Sequence, residues 1–246
     1  MDLSEYYNIS DLEDHHWWYQ TTHRRVLREL ELLPSLRMIL DAGCGTGGLL
    51  KLMQDDYQVM GFDASPEAVL LASRRNGVAR KIVSGGIEYI PFQDCCFDAA
   101  TCIDVLYHQL VRYELQALKE LNRVLKPGGY LIVQVPAFEC LRGGHDEAVH
   151  TRKRYTAEEL SALLFQSGFS PVKVTYRYPW LFLPAFIIRR LSRGSARSDL
   201  NSVNLTWNKI VFYINSLFDH SRLPGLPFGT SLFAVARKTN GFSITD

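Results

Sequence analysis

The chain has 246 residues, 47% of them hydrophobic, with 27 Lys and Arg against 26 Asp and Glu. That apolar share suits a packed core and excludes general disorder, and the length accommodates one large domain or a core domain carrying insertions. A formal net charge of +1 lacks the basic excess of a nucleic-acid binder, so no nucleic-acid partner is expected.

Met1-Asp2-Leu3-Ser4-Glu5 has no basic region leading into an apolar run, so no secretory signal is read there. His15 to Leu33 reads as an amphipathic helix. Trp18, Val26, Leu27, Leu30 and Leu33 recur near helical spacing, and Pro34 stops it. Its start, His15-His16-Trp17-Trp18-Tyr19, is unusually aromatic. Such rings either glue the helix to the core or form a lid, with Trp18 against a bound cation or adenine. Residues 1–35 are read as that helical lid.

Met38 to Gly48 reads as the end of a buried strand, then a tight glycine turn into a helix. Glycine has no Cβ, so a ligand can lie against the backbone, and the first N–H groups of the next helix point at it. Leu49 to Met53 continues as helix. Tyr57 to Phe62 is a second strand ending at Asp63, and Pro66 to Asn76 a helix capped by Ser65 and closed by Gly77. Lys81 to Ser84 is a third strand, residues 85–92 a loop, Phe97 to Asp104 a fourth strand and Leu110 to Leu125 a helix. The turn Lys126-Pro127-Gly128-Gly129 leads into a fifth strand, Tyr130 to Val135.

A polar insertion, 137–155, breaks the rhythm. A helix capped by Thr156 and ending at Gly168 precedes a sixth strand, Pro171 to Tyr178. A second insertion, 179–227, holds the apolar Trp180 to Ile188, a polar link Arg193 to Ser202, and a helical stripe through Ile210, Val211, Ile214, Leu217 and Phe218. Leu232 to Ala236 is the final strand. Strand and helix alternate throughout, which predicts a doubly wound α/β fold around a parallel sheet. Cys44, Cys95, Cys96, Cys102 and Cys140 fit no disulfide or zinc spacing and read as reduced. Trp180 to Ile188 is far shorter than the roughly 20 residues of a membrane span, and the expected location is the cytoplasm.

Gly43-x-Gly45-x-x-Gly48 matches the dinucleotide fingerprint, and Asp63 follows at about the distance where an acid accepts from both ribose hydroxyls. Spacing alone therefore leaves a nicotinamide enzyme open. The run Ile39-Leu40-Asp41-Ala42-Gly43-Cys44-Gly45-Thr46-Gly47 resembles the first motif of class I S-adenosylmethionine-dependent methyltransferases, especially the type 11 and 23 domains. Gly61-Phe62-Asp63-Ala64-Ser65, Ile90-Pro91-Phe92 with Phe97-Asp98, Val124 to Gly129, and Gly168-Phe169 resemble later motifs of that family, in the same order.

The resemblance implies a Rossmann-like seven-stranded sheet, mostly parallel with an antiparallel last strand, and a methyltransferase domain over 36–246. It implies S-adenosylmethionine as cofactor. Gly43, Cys44 and Gly45 would bound its amino-acid part, with Asp63 and Ala64 at the ribose, Ile87 at the adenine and Asp104 beside it. Asp41 would orient the loop. Gly86 stands where the family places an acid on the adenine amino group, so that contact is left to Glu88, a backbone carbonyl or water.

Methyl transfer to oxygen needs alignment and, as a rule, removal of a proton, for which histidine is well matched. His108, His145 and His150 are the expected bases at the carboxyl edge of the sheet, with Asp146 orienting a ring. A metal site from His145, Asp146 and His150 is the less favoured alternative, and no metal is expected. Trp180, Phe182, Phe186, Trp207, Phe212 and Tyr213 either line an acceptor pocket or simply cover the sheet. The expected acceptor is a small hydrophobic, aromatic or lipid-linked molecule, with at most peripheral membrane contact through Trp180 to Ile188 and the arginines behind it. The rival reading is a cofactor-binding protein of this fold that transfers no methyl group.

Overall fold

Apolar runs with both faces covered make the middle of a parallel sheet. The computed structural model describes residues 3–75, 77–78, 80–191, 205–220 and 226–239. Its strands are β1 (Met38–Ala42), β2 (Gln58–Asp63), β3 (Ile82–Ser84), β4 (Phe97–Ile103), β5 (Leu125–Pro136), β6 (Phe169–Arg177) and β7 (Ser231–Lys238). They stand in the order β3-β2-β1-β4-β5-β7-β6. β1 to β5 pair in parallel, and β7 runs antiparallel between β5 and β6. This is the seven-stranded sheet with a reversed last strand that the motifs implied.

The helices are α1 (Leu3–Leu12), α2 (Trp17–Leu32), α3 (Gly48–Met53), α4 (Pro66–Ser73), α5 (Glu114–Val124), α6 (Gly144–Ala148), α7 (Ala157–Gln166), α8 (Pro179–Leu191) and α9 (Leu205–His220). Alternation along β1 sends Ile39 and Leu40 to opposite faces. Ile39 joins Val26 and Leu30 of α2 and Leu50 and Met53 of α3. Leu40 joins Leu118 and Leu121 of α5 and Leu160 and Leu164 of α7. Ser65 accepts from Ala68 N at 3.3 Å with Pro66 in the first helical position, and Thr156 forms a reciprocal box with Glu159, as their patterns predict.

Several expectations need correction. Within the stretch 1–35 only the helix from His15 is delineated by the sequence pattern, and α1 precedes it; its apolar residues are interleaved with polar ones, and its Tyr6 is held by Ala68 and Leu71 of α4. The helix expected from Leu110 starts at Glu114, because Val111 N first donates back to His108 O in a turn. Lys126 to Gly129 is not a free turn but an irregular start to β5, with a register shift opposite Phe97 and Ala99. Asp98 fixes that corner, accepting from Arg37 N (3.0 Å), Met38 N (2.8 Å) and Lys126 Nζ (2.7 Å). Asn76, the link Arg193 to Ser202 and the tail beyond Thr239 lie outside the described residues. The five cysteines are free thiols. Among the described residues, no helix is long and apolar enough to cross a membrane.

Candidate active site

The strand order reverses between β1 and β4, and a cleft of about 550 Å³ opens there at the carboxyl ends of the strands, where ligands of open α/β sheets bind. The turn after β1 forms its floor. Gly43 N and Cys44 N both donate to Phe62 O at 2.9 Å, which ties the turn to β2. Gly43 (φ 75°) and Gly45 (φ 52°) are left-handed, and their missing Cβ atoms do different work. A Cβ on Gly43 would fall 2.4 Å from a Val105 methyl, whereas one on Gly45 would meet nothing within 4 Å. Gly43 thus permits close packing, and Gly45 keeps the main chain bare toward the cleft. Cys44 stacks its thiol over Gly61.

Acids surround this floor. Asp63 ends β2 and accepts from Gly45 N at 2.9 Å and Ser65 N at 2.8 Å; burial holds its carboxyl above the usual range. Asp41 accepts from Thr101 Oγ1 at 2.6 Å, and burial pushes it up to about 7. Asp104 (φ 58°) follows β4, accepts from Gln134 Nε2 at 3.0 Å, and is raised by burial to about 6. Gln134 Oε1 in turn accepts from Arg177 at 3.2 Å. Ala64, Gly86 and Ile87 complete this side, and a Cβ on Gly86 would also meet nothing within 4 Å.

The N-terminal helices cover the opening. Trp17, Trp18 and Tyr19 line the cleft. Trp18 also lies 4.8 Å from the Tyr178 ring, and the Tyr178 hydroxyl hydrogen-bonds Thr21 and Thr22, each at 3.1 Å. The aromatic run therefore packs and lines at once. Glu13, between α1 and α2, takes Thr46 Oγ1 at 2.5 Å and Arg75 Nη2 at 2.7 Å. Burial raises its carboxyl, and a Cβ on Gly48 would collide with it. Glu13, Arg75, Gln134 and Arg177 were not found by sequence reasoning. Each is a lone polar residue whose partner is distant in the chain, and no local signal marks it.

The polar insertion resolves into unequal parts. His145 and His108 line the cleft, whereas His150 is not among its lining residues and stacks on His108 at 5.9 Å. Asp146 takes Arg154 Nε (2.8 Å) and Nη2 (3.1 Å) and Gly143 N (2.8 Å). Arg154 and Tyr155 are buried, and the Tyr155 hydroxyl donates to Glu114. Among the described residues, no three His, Cys, Asp or Glu side chains are placed to hold a metal. Of the second insertion, Leu181, Ala185 and Arg189 line the cleft, while Phe182 packs on Phe138 and Phe228, and Trp180 donates to Asn215. Phe212 sits under Arg24 beside a separate groove. The Trp207 side chain lies outside the described residues.

Residues 40–133 match the methyltransferase domain family. This stretch is a methyltransferase domain of the class I S-adenosylmethionine-dependent kind. Among relatives of this chain, an Arabidopsis thaliana tRNA (carboxymethyluridine(34)-5-O)-methyltransferase is 34% identical over 116 residues, 47% of this chain and 28% of that one. A Penicillium expansum O-methyltransferase is 32% identical over 155 residues, 56% of this chain and 53% of its own. The chain thus spans less than two thirds of the length of each. A chain from the Haloferax volcanii complex of the Trm112 methyltransferase activator with a methyltransferase superposes with TM-score 0.64, covering 96% of both chains at 19% identity; the likeness is one of fold.

The cofactor of the family is S-adenosylmethionine, and the cleft fits it. Bare main chain at Gly45 and Gly86 leaves room for a ligand against the backbone. Asp63, Asp104 and Glu13 face the space that a cationic ligand would fill, and Trp17, Trp18 and Tyr19 offer ring faces suited to a cation.

Proposed function

We propose that this methyltransferase methylates an oxygen of a small hydrophobic, aromatic or lipid-linked acceptor, with His145 as general base. The observation that carries the reading is that His145 lines the same cleft as the glycine turn, Asp63 and Asp104. When bound, S-adenosylmethionine supplies an electrophilic methyl group on a sulfonium. The Gly43–Gly45 main chain holds its amino-acid part, Asp63 the ribose diol and Ile87 the adenine face. Glu88 replaces the acid missing at Gly86; one of its oxygens is steadied by Tyr113 N at 2.5 Å. Asp104, steadied by Gln134, stands beside the cofactor.

His145 takes the proton of the acceptor hydroxyl and releases it to solvent after transfer. His108 is the weaker choice as base. Burial pushes it down to about 4, so it is neutral at pH 7. Its Nδ1 accepts from Leu110 N at 3.2 Å, so Nε2 already carries the ring proton. His108 therefore donates a hydrogen bond rather than receiving a proton, and His150 backs it. His145→Asn is expected to lower turnover by about 100-fold or more with S-adenosylhomocysteine affinity intact; unchanged turnover refutes the role. Cofactor binding without any methylated product by mass spectrometry would favour the non-transferring rival.

A second reading takes RNA as the acceptor, in line with the tRNA methyltransferase among the relatives. It is favoured by a groove of about 1280 Å³ along α2 and α9, carrying Arg24, Arg25, Arg28, Lys51 and Lys209 together with Glu13, Asp14 and Glu31. Filter binding of tRNA that weakens steeply with salt would support it.

A further inference from the structure

The ionisable side chains of the cleft are sorted by sign. Glu13, Asp41, Asp63, Glu88 and Asp104 stand around the glycine turn and the loops beside it. Both guanidiniums, Arg154 and Arg189, stand on the wall built by the polar insertion and α8. The one acid of that wall, Asp146, is engaged bidentately by Arg154, whose Nη1 also donates to Ala137 O at 3.0 Å. Arg189 is near enough to be attracted by Asp146 and repelled by Arg154. Two guanidiniums and one carboxylate therefore line this wall.

Arg189 is also seated. It donates to Leu141 O, and its stem lies over Gly143, where a Cβ would fall 2.9 Å from Arg189 Cγ and 3.0 Å from Cδ. Leu181, Ala185 and Arg189 recur every fourth residue, so they form one stripe on α8, and all three line the cleft. An apolar strip that ends in a fixed cation fits a molecule with an apolar body and an anionic end.

We propose that the methyl acceptor carries a carboxylate or phosphate that pairs with Arg189, its apolar body lying along Leu181 and Ala185. This rests on the methyl-transfer reading of the same cleft. Arg189 is here a specificity-determining residue and takes no part in the chemical step.

The test is calorimetric titration of octanoate, octyl phosphate, 1-octanol and inorganic phosphate into the full chain, with and without S-adenosylhomocysteine. Octanoate and octyl phosphate should each bind about tenfold tighter than 1-octanol, or more. Arg189→Gln should bring both down to the level of 1-octanol, Arg189→Lys should recover part of the difference, and neither should change S-adenosylhomocysteine affinity. Gly143→Ala, which displaces the Arg189 stem without removing its charge, should weaken the anions in the same direction and serves if Arg189→Gln does not fold. Equal binding of 1-octanol, or anion affinity untouched by Arg189→Gln and Gly143→Ala in folded protein, overturns the proposal. Inorganic phosphate binding as tightly as octyl phosphate would keep the ion pair and overturn the apolar body. Failure of S-adenosylhomocysteine itself to bind sinks the methyl-transfer reading instead, and the titrations without it separate the two results.

Discussion

Both oxygens of Asp63 are already occupied by main-chain donors, Gly45 N and Ser65 N. A carboxylate has about four acceptor positions, so the side chain can shape the glycine turn and still receive a diol. Asp63→Ala removes both functions and should weaken S-adenosylhomocysteine by about 100-fold in calorimetry, more than Asp63→Asn, which keeps one acceptor oxygen. Asp41 behaves differently. Its folded carboxyl is raised to about 7, so its ionised form costs stability. That cost is absent below the unfolded value near 4, grows as pH rises, and is complete above about 7. Asp41→Asn, which can still accept from Thr101, should therefore raise Tm more at pH 8 than at pH 5. Gly43, Gly45 and Asp63 were legible in the sequence because their chemistry is local: a bare turn, then an acid at the end of the next strand. Glu13 was not, since Thr46 and Arg75, its partners, lie 33 and 62 residues away.

At the scale of elements, α1 and α2 are fastened at two places: Glu13 on the glycine turn, and Trp18, Thr21 and Thr22 on Tyr178. Glu13→Ala leaves the mostly buried Arg75 guanidinium without that partner and should cost about 3 kcal/mol. Hydrogen exchange should accelerate across residues 3–32 before it does so in the sheet. The polar insertion has a comparable centre in Asp146 and Arg154, whose side chains are 1% and 4% exposed. Arg154→Ala should destabilise by about 3–5 kcal/mol in urea unfolding, whereas His145→Asn should be near neutral. Sequence reasoning saw a dense polar cluster but could not tell which members faced the ligand. Composition alone does not distinguish a buried ion pair from a reactive pair; the direction of each side chain does. The apolar face of 180–188 was misleading for the same reason, because Leu181 and Ala185 line the cleft while Phe182 packs among other rings.

For the molecule as a whole, topology was the most legible feature. Alternating strands and helices limit the parallel arrangements to a few, and the motif order selects among them. S-adenosylhomocysteine should raise Tm in a concentration-dependent way, and NAD should not; the reverse result would point to a dehydrogenase. β7 lies between β5 and β6 and pairs with both along nearly its full length. While residues 231–238 are still inside the ribosomal exit tunnel, β5 and β6 lack the strand that joins them, and each presents an open row of amides and carbonyls. Stalled nascent chains ending before Ser231 should be cleaved by protease within β6, and release of a chain that includes residues 231–238 should abolish that sensitivity.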